Sequence, residues 1–404
     1  MGSCVGCVVD ASDVSSEVAK DLAARLGASS LFIRGAVSLP RLKAKAPVAS
    51  PDGLTPGARL ADDDSSLRSA LHAARDAALD TYIVLPNPLA GRPDWQDLFA
   101  EDSGGRSADR VDPNTPPLCP NHPKLIRWVS DVAVEVARVY KPTGLLFENL
   151  ALGSPHKIDT LFTCWCDLCR ARTDELGYDA DRIRIALQGA RSKLNEAAAA
   201  LHTLRDFGIA QFLEAVGYDV GFLDWLNFRA DSVSALLYEA RKALAALDAS
   251  LRVAVLTKAP TVAMLAGQRR MDVLRDTTLA DFYAPVICGH DAGVLSTLAA
   301  HAQLVTTALR APDHTTALRI AAKLHGYDDL PLPAAAAELD RSPSSRALIA
   351  VAERELALTL APAAGLARWP AIDLAQLPDD VRNHIVDSLT DSEAEGFIYL
   401  GVPQ

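Results

Sequence analysis

The chain has 404 residues, 49% hydrophobic and 23% charged, enough for a large core in one α/β domain or in two or three smaller ones. A net charge of −11, with no basic run and no aromatic-interleaved Lys/Arg patch, excludes a general nucleic-acid binder, which must face phosphate with cations. No apolar run approaches membrane-spanning length, and the opening MGSCVGCVVDASD lacks the basic region and long apolar stretch of an export signal. A cytoplasmic chain without a membrane partner is therefore expected.

Short β-branched runs alternate with helical segments along the whole chain. CVGCVVDAS reads as a first strand, followed by an amphipathic helix over about Ser15–Leu26. SLFIRGAV is the second strand. A helix over about Ser65–Ala78 leads into TYIVLPN, the third, and HPKLIRWVSDVAVEVARVY leads into GLLFENL, the fourth. A long helical region closing with DWLNFRADSVSALLYEARKALAAL delivers the fifth, LRVAVLTKAP; its alanines favour helix because they lose no side-chain entropy there. DFYAPVICG is the sixth, GLARWPAIDL a weak seventh, and EGFIYLGVP the eighth, with helix-like material and no clear strand over 294–362. Eight such units predict the α/β class and, within it, a closed (β/α)8 TIM barrel, a single domain over 1–404. Long insertions over 38–64, 87–122 and 149–250, the last of them helical, follow strands two, three and four, at the strand ends where barrel enzymes place their sites.

TCWCDLC places Cys164, Cys166 and Cys169 within seven residues of a chain that has seven cysteines in all. C-x-C-x-x-C offers three thiolates in one turn, which suits a tetrahedral metal such as zinc. Cys119, in LCPNHP, is the best fourth ligand, because its loop follows strand three and neighbours the loop after strand four; His122 and His156 stand behind it. Two other readings remain open: a three-thiolate site that activates a water or a substrate thiol, and a set of unmetallated thiols. Cys4, Cys7 and Cys288 lie in apolar strands and read as small buried hydrophobes.

Cys119 followed by a distant C-x-C-x-x-C just past strand four resembles the zinc cluster of glycoside hydrolase family 42 β-galactosidases. A wider set of glycoside-hydrolase-like barrels resembles the chain further, through Cys-x-Cys-x-x-Cys-Arg, then ELGYD, then FRADSV; the likeness covers roughly Leu118 to Leu256. It implies a (β/α) barrel whose structural Zn2+, held by Cys119, Cys164, Cys166 and Cys169, staples the loops after strands three and four. Those galactosidases carry an acid/base in an Asn-Glu pair at the end of strand four, where this chain has Glu148-Asn149 in the reverse order. They carry a Glu nucleophile on strand seven, where the nearest substitute here is Asp373.

Glycoside hydrolysis needs two carboxyl groups facing each other across the scissile bond, and Glu148 and Asp373 are the candidates. Asp10, Arg34, Asn87, Asn149, Lys258, His290 and Tyr399 also fall at or beside strand ends and are candidate substrate contacts. Against a sugar site, aromatics make up only 6% of the chain, with five tryptophans; stacking platforms are scarce. Trp128 and Trp225 lie on helices, which leaves Trp95, Trp165 and Trp369 as site walls. The leading expectation is a glycoside-hydrolase-like enzyme acting on a carbohydrate or glycoside through Glu148. The alternatives are a barrel lyase or isomerase using Lys258 or His290 on a small polar substrate, and a non-catalytic sugar-binding scaffold. The oligomeric state is left open, a homo-oligomer included.

Overall fold

The computed structural model describes residues 4–189, 220–269, 279–288, 293–307, 313–327, 329–341, 343–361, 367–375 and 377–401. Eight parallel strands close into a barrel: β1 (Cys4–Asp10), β2 (Ala28–Arg34), β3 (Asp80–Leu85), β4 (Gly144–Phe147), β5 (Arg252–Thr257), β6 (Phe282–Cys288), β7 (Ala371–Asp373) and β8 (Gly396–Leu400). β8 closes the ring on β1, with Cys4 opposite Gly396 and Val8 opposite Leu400. The (β/α)8 expectation therefore holds, weak seventh strand included. That strand is weak for a physical reason: it has three residues, and its register against β6 shifts between Ala371 and Ile372. A two-residue strand, Ala367–Arg368, supplies the rest of the pairing to β6.

The helices form where the sequence marks their ends. α1 (Ser16–Leu26) is capped by the Ser15 hydroxyl, which accepts from Val18 N, and stops at Gly27, whose φ of +64° suits a residue with no Cβ. α2 (Ser65–Asp76) precedes β3. α3 (Pro123–Tyr140) begins with proline at its first position, and the His122 ring accepts from Lys124 N. α4 (Asp167–Glu175) starts at the cysteine cluster, and α5 (Val220–Leu247) runs back to β5. α6 (Val294–Thr307), α7 (His314–Leu324) and α8 (Ser345–Leu360) fill the stretch before β7, and α9 (Asp379–Thr390) precedes β8.

Strand alternation divides the apolar side chains into two compartments. Val8, Phe32, Tyr82, Val84, Leu146, Ala254, Leu256, Phe282, Ala371 and Ile398 fill the barrel interior, while the alternate residues pack against the helices in a larger cluster. Inside, Phe32 stacks on Tyr82 with ring centroids 4.6 Å apart, and Phe282 stacks on Trp369 at 4.3 Å. Three inward-facing glycines make room for these rings. A Cβ on Gly6 would lie 2.4 Å from Phe32, on Gly144 2.5 Å from Tyr82, and on Gly396 2.7 Å from Trp369.

The position hemmed in by backbone as well as a ring yields a prediction. A methyl on Gly144 would meet not only Tyr82 but the Arg252 carbonyl, also at 2.5 Å, and backbone cannot rotate away. Gly144→Ala is expected to cost on the order of 3 kcal/mol in urea unfolding. An unchanged midpoint would contradict this packing.

Candidate functional site

The alternation that fills the barrel also decides what caps it. Two residues beyond the interior positions Val8, Phe32, Leu146, Leu256 and Ala371 come Asp10, Arg34, Glu148, Lys258 and Asp373. Period two places all five on the inward face at the carboxyl-terminal mouth. Below this charged tier, buried aromatic and aliphatic side chains fill the barrel interior.

Arg34 and Glu148 meet directly. Arg34 Nε lies 3.1 Å from Glu148 Oε1 and Nη2 lies 2.5 Å from the same oxygen, with the side chains 36% and 24% exposed. Both donors converge on Oε1, and among the described residues no hydrogen bond is made to Oε2. In the register of β1 with β2, Asp10 stands opposite Arg34. Opposite charges thus stand side by side on β1 and β2 at the mouth. Asp373 Oδ1 accepts from Ala375 N at 3.1 Å, a local turn that fixes the carboxyl at the strand end. Lys258 N donates to Gln268 Oε1 at 2.8 Å.

The remaining candidates are placed differently. Asn87 is spent on the backbone, donating to the Ala151 carbonyl at 3.0 Å and accepting from Leu89 N at 3.0 Å, and so links the loops after β3 and β4. Asn149 adopts φ +50°, and its buried Oδ1 has no hydrogen-bond partner among the described residues. Tyr399 occupies an outward position of β8, 4% exposed and packed edge-on against Phe397, and so faces the helices rather than the mouth. His290 lies outside the described residues. Trp95, Trp165 and Trp369 do not serve as walls. They are 2%, 2% and 7% exposed, Trp165 packing edge-on against Trp225 and Trp369 plugging the barrel, because rings that large repay burial in the core.

The four cysteines converge. The Sγ atoms of Cys119, Cys164, Cys166 and Cys169 all lie within 4.8 Å of one another, a set that could hold a metal ion. Cys119–Cys166 and Cys164–Cys166 are 3.5 Å apart and Cys119–Cys169 3.7 Å. Tetrahedral zinc with ~2.3 Å Zn–S bonds needs sulfurs ~3.8 Å apart, so loading would require the three short pairs to open by up to a few tenths of an ångström and the widest to close by up to about 1 Å. The donor surroundings also suit thiolates: Glu101 N points at Cys164 Sγ (3.4 Å) and Asn121 Nδ2 at Cys169 Sγ (3.3 Å). Neither His122, which caps α3, nor His156, which bonds Ser154, belongs to the cluster.

Sequence reasoning passed over two buried residues beside the cluster. Arg229, within FRADSV, is 1% exposed, and every hydrogen bond it donates ends on a backbone carbonyl: Thr163, Leu152, Thr160, Leu265 and Met264. Burial pulls this guanidinium down to about 9, opposed by the nearby Cys164 thiol. Asn121, within LCPNHP, bridges Cys169 to Ser232 on α5. The quoted motifs contained both residues, but nothing in helical spacing distinguishes a buried arginine from a solvated one.

The loop after β4 is also pinned at Pro155. His301 Nε2 lies 3.0 Å from that carbonyl, which can only accept, so this nitrogen carries the proton and Nδ1 accepts from His325 Nε2 at 2.8 Å. His156 is the remaining charged neighbour, and no carboxylate pairs with either ring among the described residues. Burial lowers both rings, with His325 reaching about 3 and His301 shifting in the same direction. The unfolded chain therefore binds these protons first, and stability falls as pH drops below ~6.5 towards the folded value. His325→Gln is expected to flatten the decline in melting temperature between pH 6.5 and 4; an identical slope in the variant would refute the assignment.

No family model matches the sequence, and no curated protein matches it. Among solved structures, the glycoside hydrolase domain of PgaB (BpsB) from Bordetella bronchiseptica superposes with TM-score 0.55 at 14% identity, covering 100% of this chain and 94% of that one. A β-galactosidase from Halorubrum lacusprofundi is matched at TM-score 0.44 and 17% identity over 91% of this chain and 52% of that one. One from Bacillus circulans sp. alkalophilus is matched at 0.41 and 15% over 77% and 43%. The chain spans about half or less of these two β-galactosidase chains. The PgaB likeness shows the fold alone, a (β/α)8 barrel.

Proposed function

We propose that this protein is a glycoside-hydrolase-like enzyme that acts on a carbohydrate at the carboxyl-terminal mouth of its barrel, with Glu148 as acid/base. The observation that carries the reading is the Glu148 carboxyl at the end of β4, held through Oε1 by Arg34 with Oε2 left for substrate. Asp373 at the end of β7 is the partner carboxylate. Asp10 and Lys258 supply the polar contacts, and Arg34 serves Glu148 before it serves any ligand. The four cysteines hold one structural Zn2+, a role supported by the sulfur spacing and by the N–H groups aimed at the cluster. Four thiolates leave zinc no open position, so the metal holds the loops and takes no part in turnover. Glu148→Gln assayed on aryl glycosides tests the reading.

One observation favours a second reading. All five tryptophans are at most 7% exposed, so none offers a sugar face a stacking platform. A lyase or isomerase that takes a small polar substrate through Lys258 needs no such platform. Borohydride reduction in the presence of substrate would then trap an adduct on Lys258, and an unmodified Lys258 would reject it.

A further inference from the structure

We propose that Arg229 is the buried counter-ion of the metal-loaded cysteine cluster, and that it transmits metal occupancy to the loops carrying Glu148 and Lys258. The inference rests on the metal reading above and concerns what this chain's own residues do in response to the metal.

A guanidinium taken out of water needs an anion nearby or its burial is costly. The partners of Arg229 do not provide one. Nε donates to Thr163 O at 2.7 Å, Nη2 to Leu152 O at 2.8 Å and Thr160 O at 3.1 Å, and Nη1 to Leu265 O at 3.2 Å. All are neutral carbonyls, and no carboxylate pairs with Arg229 among the described residues. Thr163, however, directly precedes Cys164, so the carbonyl that Nε holds belongs to the residue beside a cluster cysteine, and among the described residues Cys164 is the one group whose charge acts on Arg229. A divalent ion on four thiolates leaves a net charge of about −2, and emptied and reprotonated thiols leave none. Metal loading thus supplies the counter-charge that justifies burying Arg229, and metal loss removes it.

The acceptors of Arg229 lie on two loops. Leu152, Thr160 and Thr163 follow β4, whereas Met264 and Leu265 follow β5. The same two loops are sewn together nearer the mouth. Leu152 N donates to Ala266 O at 2.8 Å, and Gln268 Nε2 donates to Leu150 O at 3.0 Å while its Oε1 takes Lys258 N at 2.8 Å. Backbone and hydrogen bonds together lead from Thr163, beside Cys164, through Arg229 and the 264–268 segment to the backbone of Lys258 and of Leu150, two residues past Glu148.

The experiment follows amide hydrogen exchange and metal release in the full-length chain, with metal content measured first. Stripping zinc from the wild type with a chelator is expected to speed exchange at Leu152, Leu265, Gln268 and Lys258 by about tenfold or more, beyond the local effect at 119–121 and 164–169. Arg229→Met is expected to release zinc to a chromophoric chelator about tenfold faster. Arg229→Lys keeps the charge but loses the fork; it is expected to hold zinc within about threefold of wild type while still speeding exchange at Leu152 and Leu265. Exchange confined to the cysteine segments after stripping overturns the inference. So does a wild-type release rate in Arg229→Met, and the stripping experiment decides the matter by itself if that variant does not fold. A chain that neither contains nor takes up zinc overturns the metal reading as well. Zinc at about one per chain with unresponsive loops overturns this inference alone.

Discussion

Replacing Cys166 by serine is expected to remove the metal and a large share of the stability together. Cys166 is the hub of the cluster, at 3.5 Å from both Cys119 and Cys164. A hydroxyl there is a poor zinc ligand and leaves the other three sulfurs with no tetrahedral site. The loss is large because the cluster joins two loops at a buried point, beside the Asn87–Ala151 hydrogen bond and the Lys157–Asp112 ion pair that also link them. Cys119 comes from the loop after β3, and the other three from the loop after β4. Stability should fall by on the order of 4 kcal/mol, with zinc dropping from about one per chain to a small fraction of that. Chelation of the wild type should lower the melting temperature similarly. Cys7→Ser and Cys288→Ser, on strands away from the cluster, should leave zinc content unchanged. Zinc at wild-type stoichiometry in Cys166→Ser would overturn the ligand assignment.

The barrel was legible because β-strands declare themselves through short β-branched runs, and because the period-two rule that fills the interior also aims Asp10, Arg34, Glu148, Lys258 and Asp373 at one mouth. The cysteine grouping was legible for a similar reason: loops after adjacent parallel strands emerge side by side, so Cys119 could be matched to a distant triplet. Partnerships between side chains were not legible. Arg34 read as a substrate contact, yet it grips Glu148, and no local pattern records a contact between β2 and β4. Tyr399 read as a strand-end ligand because it is polar and near a terminus, but the alternation turns it towards the helices, beside Phe397. Trp369 read as a wall and is a plug, because the glycine opposite it, Gly396, could not be recognised as the space that accommodates its ring.

Glu148→Gln is expected to lower kcat/KM on any glycoside the wild type hydrolyses by about a thousandfold or more, with the melting temperature almost unchanged. The substitution isolates chemistry from structure because of how Glu148 is held. Both Arg34 donors go to Oε1, and glutamine keeps an amide oxygen in that position, so the link between strands survives. What is lost is the carboxyl that gives and takes a proton. About a thousandfold corresponds to ~4 kcal/mol of transition-state stabilisation, the amount expected of one positioned acid/base. Arg34→Met should instead disturb activity and stability together, by freeing the carboxylate from its anchor. The partner is tested in parallel. Asp373→Asn should be comparably damaging if Asp373 faces Glu148 across the scissile bond, at ~5–5.5 Å for a retaining course or ~6.5–9.5 Å for an inverting one. A Glu148→Gln enzyme within threefold of wild type would remove Glu148 from the chemistry. If instead Asp373→Asn is silent while Glu148→Gln is dead, the second carboxylate must be sought at Asp10, which stands opposite Arg34 at the same mouth.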